Sequence, residues 1–187
     1  MPALAHPWRP EFLAALRLLG QASAGMVARG LARPVLVGGG AVEFYSGSAL
    51  MTGDIDLTTP SQPELEEELR ALGFVRPSGA GRSLRGWIHP DLGLGFEVVA
   101  DVPMDGSPDV ARVRLVDPLD DAPAIRILSV EDLIADRMGQ YASGTAAEMR
   151  DQARALLGLH PGLDRDYLDR RIRTETVGEH GLEDIAG

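Results

Sequence analysis

The run Val35-Leu-Val-Gly-Gly-Gly-Ala-Val-Glu-Phe-Tyr45, followed by Asp54-Ile-Asp-Leu57, constrains the fold more than any other part of the chain. Val35 to Val37 reads as a buried strand, Ala41 to Tyr45 as a helix and Ile55 to Leu57 as a second strand. Side chains alternate along a strand, so Asp54 and Asp56 share one face while Ile55 and Leu57 point into the core. Two carboxylates that close repel each other and resist burial unless a cation, a proton or positive side chains offset them. A divalent cation is the simplest remedy. Gly38, Gly39 and Gly40 sit between strand and helix, where amides with no Cβ in the way, at the positive end of a helix, can meet phosphate oxygens. A tight strand-to-helix turn explains the glycines alone equally well; the acids that follow favour phosphate. Magnesium is usually held by one or two carboxylates plus substrate phosphates, which makes Asp54 and Asp56 candidate metal ligands.

An apolar residue, Gly-Gly or Gly-Ser, a spacer, then Asp-x-Asp between apolar residues is the pattern of the nucleotidyltransferase superfamily. This segment resembles it, with Val37-Gly38-Gly39 and Asp54-Ile55-Asp56 in those places; Gly39-Gly40 answers the same motif with a spacer one residue shorter. The superfamily's third carboxylate lies on a later, neighbouring strand, and Leu94-Gly-Phe-Glu-Val-Val99 matches it through Glu97. Read alone, Glu97 is a solvent-facing strand acid. Farther on, Ser129-Val-Glu-Asp-Leu-Ile-Ala-Asp-Arg-Met138 and Glu148-Met-Arg-Asp-Gln-Ala-Arg-Ala-Leu-Leu157 are similar to the helical portion of the abortive-infection (type IV toxin) nucleotidyltransferases and their bacterial relatives. Arg137 stands where that group has lysine, and Asp151 at its later aspartate. A guanidinium stays protonated, so phosphate clamping carries over better than proton transfer.

The resemblance implies an α/β (α+β) fold, a mixed sheet flanked by helices with a C-terminal helical cap, and transfer of a nucleoside monophosphate from an NTP to a hydroxyl. Asp54, Asp56 and Glu97 would then hold Mg2+ or Mn2+. Gly38, Gly39 and Gly40, with Ser46 or Ser48, would take the triphosphate, steadied by Arg137. Asp151 would orient Arg137 or Arg150. Ser46 and Ser48 as plain turn residues, and Asp151 as a helix-surface carboxylate, stand as alternatives.

Composition narrows the chemistry. The chain has no cysteine, which removes disulfides, thiolate metal sites and cysteine nucleophiles. All 18 basic residues are arginine, so neither a Schiff base nor a phosphate loop with its usual lysine can be built. Asparagine is absent as well, leaving no N-glycosylation acceptor. This Arg-, Ala- and Gly-rich usage correlates with GC-rich bacterial genomes. A net charge of −10 opposes general attraction to nucleic acid. Arg76, Arg82 and Arg85 nevertheless cluster, and Arg165, Arg170, Arg171 and Arg173 read as a solvated face paired with acids. The N-terminus lacks a basic-then-apolar leader and no run nears about eighteen apolar residues, so a cytoplasmic location and no membrane contact are expected.

His6, His89, His160 and His180 have no ligand spacing and read as surface or loop residues, while Trp8 and Trp87 read as packing residues. Glu43 stands where a dinucleotide fingerprint starting at Gly38 needs its third glycine, and no Gly-x-Ser-x-Gly elbow occurs.

Helices are expected over Pro10 to Arg29, Ser61 to Gly73 with a serine cap, Val130 to Tyr141, Thr145 to Leu157 and Asp164 to Val177. Ser83 to His89 and Leu94 to Val99 read as a hairpin, with shorter strands at Arg112 to Val116 and Ala124 to Leu128. The expected division is an N-terminal helix over 1–29, a core over 30–128 and a helical cap over 129–187, sharing one interior. Three functions remain open: transfer to RNA or protein, as in a toxin restrained by an antitoxin; transfer to a small molecule such as an antibiotic, whose positive charge an acidic cleft favours; and a non-catalytic nucleotide or partner binder. A basic strip beside the carboxylates would support the first, an acidic one the second and a blocked cleft the third.

Overall fold

The computed structural model describes residues 7–77, 86–144 and 146–186. Six strands, β1 (Val35–Val37), β2 (Asp54–Thr58), β3 (Trp87–Ile88), β4 (Gly95–Ala100), β5 (Arg114–Val116) and β6 (Ile125–Ile127), form one sheet in the order β3-β4-β2-β1-β6-β5. β1 runs antiparallel to β2 and parallel to β6, β2 runs parallel to β4, and the edge strands β3 and β5 are antiparallel to their neighbours. The helices are α1 (Pro10–Ala28), α2 (Gly38–Ser46), α3 (Gln62–Ala71), α4 (Val130–Ala142), α5 (Met149–Leu159) and α6 (Arg165–Glu175). The expected mixed α/β architecture is what forms.

The alternation expected of β2 decides which face of the sheet is core. Leu36, Ile55, Leu57, Phe96, Ile125 and Ile127 lie on one face and are almost wholly buried. α2 packs on that side: a Cβ at Gly40 would come 2.8 Å from Leu36 Cδ1, so glycine there lets helix and sheet approach. α1 contributes Phe12, Ala15, Leu16, Leu19 and Met26 at helical spacing to the same apolar cluster, which continues through Leu133, Ile134, Leu156 and Ile172.

Local signals explain most boundaries. Pro10 opens α1, where its missing N–H is harmless. At α4, Ser129 Oγ accepts from the Asp132 N–H and donates to the Asp132 carboxylate at 2.6 Å. Two expectations need correction. α2 starts at Gly38 rather than Ala41, so the three glycines are its first turn and not a loop before it. Ser61 makes no side-chain cap on α3; its backbone, with ψ at 53°, departs from the extended form that capping uses. The expected starts of β3 at Ser83 and α5 at Thr145, and His6, Arg82 and Arg85, lie outside the described residues.

Two buried carboxylates fix what the apolar core leaves loose. Asp132 accepts from Tyr167 Oη and Arg171 Nε, both at 2.8 Å, and so ties α4 to α6. Arg171, expected on a solvated face, is therefore buried, because its guanidinium also reaches Glu175 and Ser107. Glu43 on α2 is fully buried and binds Arg9 Nε at 2.7 Å, Arg9 Nη2 at 3.0 Å, the Thr52 N–H at 2.7 Å and Ser48 Oγ at 2.8 Å. It anchors the loop between α2 and β2 to the segment before α1.

Burial works to raise the Glu43 carboxyl's pKa, but the bonds from Arg9, Thr52 and Ser48 outweigh it and hold the group below its ordinary value near 4.5. A depressed carboxylate contributes stability above its unfolded pKa that is lost as pH falls through the folded one. Glu43→Ala, which strands Arg9, is expected to cost about 3 kcal/mol in urea unfolding at pH 7. The gap from wild type should narrow as pH falls below the ordinary carboxylate range.

Candidate active site

β2 supplies the site by simple alternation: Asp54, Asp56 and Thr58 follow one another on the face away from the core. Asp54 is exposed, Asp56 half-buried and Thr58 buried, so the series descends from solvent into the sheet. Both carboxylates depend on an absent Cβ. Gly38 sits at φ +57°, a left-handed conformation that favours glycine, and a Cβ there would fall on Asp56 Oδ2. A Cβ at Gly95, which stands opposite Asp54 on β4, would lie 2.8 Å from Asp54 Oδ1.

The first turn of α2 faces Asp56. The Gly39 N–H donates to Asp56 Oδ2 over a long 3.4 Å, at the end of the helix whose unpaired amides favour an anion. Val37, the residue before the helix, makes no side-chain cap there. The glycine turn thus already meets an anion, the protein's own carboxylate.

Asp56 opens onto a cleft of about 310 Å³ whose opposite wall is α4, through Asp136, Arg137 and Gln140, with Leu128 and Met104 beside it. Arg137 is buried. Its Nε and Nη2 donate to Asp136 Oδ2 at 3.1 and 2.5 Å, and its Nη1 lies 3.3 Å from Met149 Sδ. Gln140 Nε2 donates to the same Asp136 oxygen at 3.0 Å. Burial pushes the Asp56 carboxyl above the ordinary value; the Gly39 bond and Arg137 act against this, while the charges of Asp54 and Asp136 add to it.

Of the residues expected from the sequence, Gly38, Asp56 and Arg137 meet at this cleft, with Gly39 bonded to Asp56 and Asp54 beside it. Gly40 serves helix-to-sheet packing. Ser46 and Ser48 lie at the other end of α2, which at about 1.5 Å per residue is on the order of 13 Å long. There Ser46 Oγ accepts from the Leu50 N–H, and Ser48 Oγ accepts from the Arg9 N–H and donates to Glu43, so both serve the turn. Asp151 lies exposed on the first turn of α5. Asp136 is what orients Arg137, and the Asp184 carbonyl is what holds Arg150. Glu97 pairs in register with Asp56 on the adjacent parallel strand, yet it lines a different cavity with Glu66, Arg76 and Trp87.

Asp136, Gln140 and Thr58 belong to the cleft without having been singled out. The signals were there: Thr58 continues the two-residue series of Asp54 and Asp56, and Asp132, Asp136 and Gln140 recur every four residues along α4.

Among the described residues no three His, Asp or Glu side chains are gathered to hold a metal ion. The donors present are all oxygen, and the raised Asp56 carboxyl beside Asp54 is a charge arrangement that a cation relieves. That fits a hard cation held by two carboxylates together with substrate phosphates, rather than one in an all-protein cage.

No protein-family model and no curated protein matches the chain. Solved structures do. The solution structure of the antibiotic-resistance factor ANT(2'')-Ia superposes with a TM-score of 0.55 at 17% identity, over 87% of this chain and 91% of that one. The crystal structure of an antigenic nucleotidyltransferase-like protein from Paracoccidioides brasiliensis gives 0.57 at 14% identity, over 90% and 88%.

The charges around Asp56 can be separated by substitution. Asp136→Asn removes a like charge and is expected to lower the Asp56 pKa, whereas Arg137→Gln removes an opposite one and should raise it further. Side-chain carboxyl NMR titration of both variants checks the pair of signs. With the chain spanning most of both solved structures, its mixed sheet and flanking helices have the nucleotidyltransferase-like fold.

Proposed function

We propose that this protein is a metal-dependent nucleotidyltransferase that moves a nucleoside monophosphate from an NTP to an acceptor hydroxyl. The observation that carries the proposal is the meeting of Asp56 with the glycine turn of α2 at a cleft, with Asp54 beside it on the same face of β2. In the reaction, the acceptor oxygen bonds to the α-phosphorus, the bond to the β-phosphate oxygen breaks, and pyrophosphate leaves. Asp54 and Asp56 hold Mg2+ or Mn2+, which when bound neutralises phosphate charge and makes the attacking hydroxyl more acidic. The Gly38 and Gly39 amides receive phosphate oxygens from the same side. Glu97 is proposed as a further acidic group on the adjacent strand, on the strength of its register with Asp56.

Arg137 is proposed to steady the phosphates, and its environment sets how strongly. Its charge is largely matched by Asp136 in the described conformation, so an incoming phosphate competes with a carboxylate for the guanidinium. The proton from the acceptor hydroxyl goes to a carboxylate. Glu97, in register with Asp56 on the adjacent parallel strand, is the acidic residue proposed for that role.

The charge of the cleft bears on the acceptor. Among the described residues that line the cleft, Asp56 and Asp136 stand against one cation, Arg137, with the charge of Asp54 also acting on Asp56, and this balance favours a cationic small molecule over RNA. The antibiotic-resistance factor among the similar structures is compatible with that reading. A toxin acting on RNA or protein, restrained by an antitoxin, is the second reading and rests on the Glu-Asp-Leu helix of α4. No described helix is long and apolar enough to cross a membrane.

Purified protein incubated with each labelled NTP, Mg2+ or Mn2+, and separate pools of aminoglycosides, RNA and protein is expected to label an acceptor. An Asp54→Ala, Asp56→Ala double variant is expected to lose at least about a thousandfold in rate, since it removes both metal-holding groups. Metal-dependent nucleotide binding without transfer would leave the non-catalytic reading; equal transfer by the double variant would refute the site.

A further inference from the structure

A second cavity lies deeper along the face of the sheet that carries Asp54 and Asp56. Thr58, Val35 and Arg126 stand side by side on β2, β1 and β6, and Arg33 lies two residues before Val35. All four line a cavity of about 170 Å³, closed by Val102, Pro103, Val110 and Val113 from the chain after β4. The walls are largely apolar, and the size is close to that of an engineered apolar cavity of about 150 Å³ that takes one benzene ring.

Of the five buried side-chain polar atoms without a hydrogen-bond partner among the described residues, two belong to this cavity. Arg33 and Arg126 have no ion pair among the described residues. Arg33 Nε and Thr58 Oγ1 are buried donors without a hydrogen-bond partner there, and Thr58 as a whole is 3% exposed. A buried donor left unmatched is unfavourable, so an acceptor in this space is favoured. Asp101 supplies the one acidic group of the lining, against two guanidinium groups.

We propose that this cavity is a binding site for a small amphipathic anion: an apolar body of about one ring, or a short acyl chain, carrying a carboxylate or phosphate. The apolar part packs on Val35, Val102 and Val113. The anionic group accepts from Arg33, Arg126 and Thr58. Thr58 also lines the cleft at Asp56, so an occupant here touches the floor of the candidate active site. The small size excludes a polynucleotide, and the assignment depends neither on a metal nor on transfer activity.

The test uses benzoate and phenyl phosphate as probes, with benzyl alcohol and inorganic phosphate as controls that each lack one half of the chemistry. Both probes should shift the amide NMR signals of Val35 and Thr58 saturably, and each control should bind at least about tenfold more weakly. Arg126→Gln should weaken benzoate by a similar factor. Val110→Glu, at a rim position 70% exposed and so harmless to folding, should do the same by placing a carboxylate beside the anion. Circular dichroism would confirm that both variants fold. Equal binding of benzyl alcohol, unchanged affinity in both variants, shifts confined to Gly38 and Asp56, or no saturation below about 10 mM would each overturn the proposal.

Discussion

Two like charges two residues apart on a short strand are the constraint around which this molecule is arranged. The alternation of β2 that buries Ile55 and Leu57 necessarily places Asp54 and Asp56 together on the opposite face. Keeping Asp56 there is unfavourable, since burial and its neighbours push its carboxyl towards the protonated form. The surroundings offset part of this through the Gly39 amide, the positive end of α2 and Arg137 across the cleft. Such an arrangement adds little to stability and is easiest to understand as a site that awaits positive charge.

Other features follow from holding that strand in place. The loop from α2 into β2 is short of apolar anchors, and Glu43 substitutes for them by gathering Arg9, Ser48 and Thr52 around one buried carboxylate. Asp132 does the equivalent for the helices, fixing α6 against α4 and thereby the wall that carries Asp136 and Arg137. Both are buried polar clusters outside the cleft, and each positions an element that lines it.

Much of the fold was legible because its signals are local. Strand alternation gave β2, apolar residues at helical spacing gave α1, and proline with early acids gave α3. The carboxylate pair and the glycine turn were legible for the same reason, lying within one stretch of chain. What depends on contacts between distant segments was not. Ser46 and Ser48, phosphate ligands by the resemblance and turn residues by the alternative reading, serve the turn, because the helix carries them to its other end. Arg171 looked solvated because nothing near it in sequence shows that Asp132, on another helix, would bury it. Asp136 was obscured by its neighbour Arg137, although the spacing of acids along α4 contained it. Arginine suits that pairing, since a planar guanidinium can hold one carboxylate oxygen through two N–H groups.

The claim that Asp54 and Asp56 take a divalent cation beside the glycine turn is tested most directly by paramagnetic NMR. Mn2+ would be titrated into the labelled protein with and without a non-hydrolysable NTP analogue. Broadening should begin at the amides of Gly38, Gly39 and Ile55, should strengthen with the analogue, and should vanish when both aspartates are alanine. Broadening that starts instead among the exposed acids of α3 or α6, or that is unchanged in the double variant, would contradict a metal site on β2.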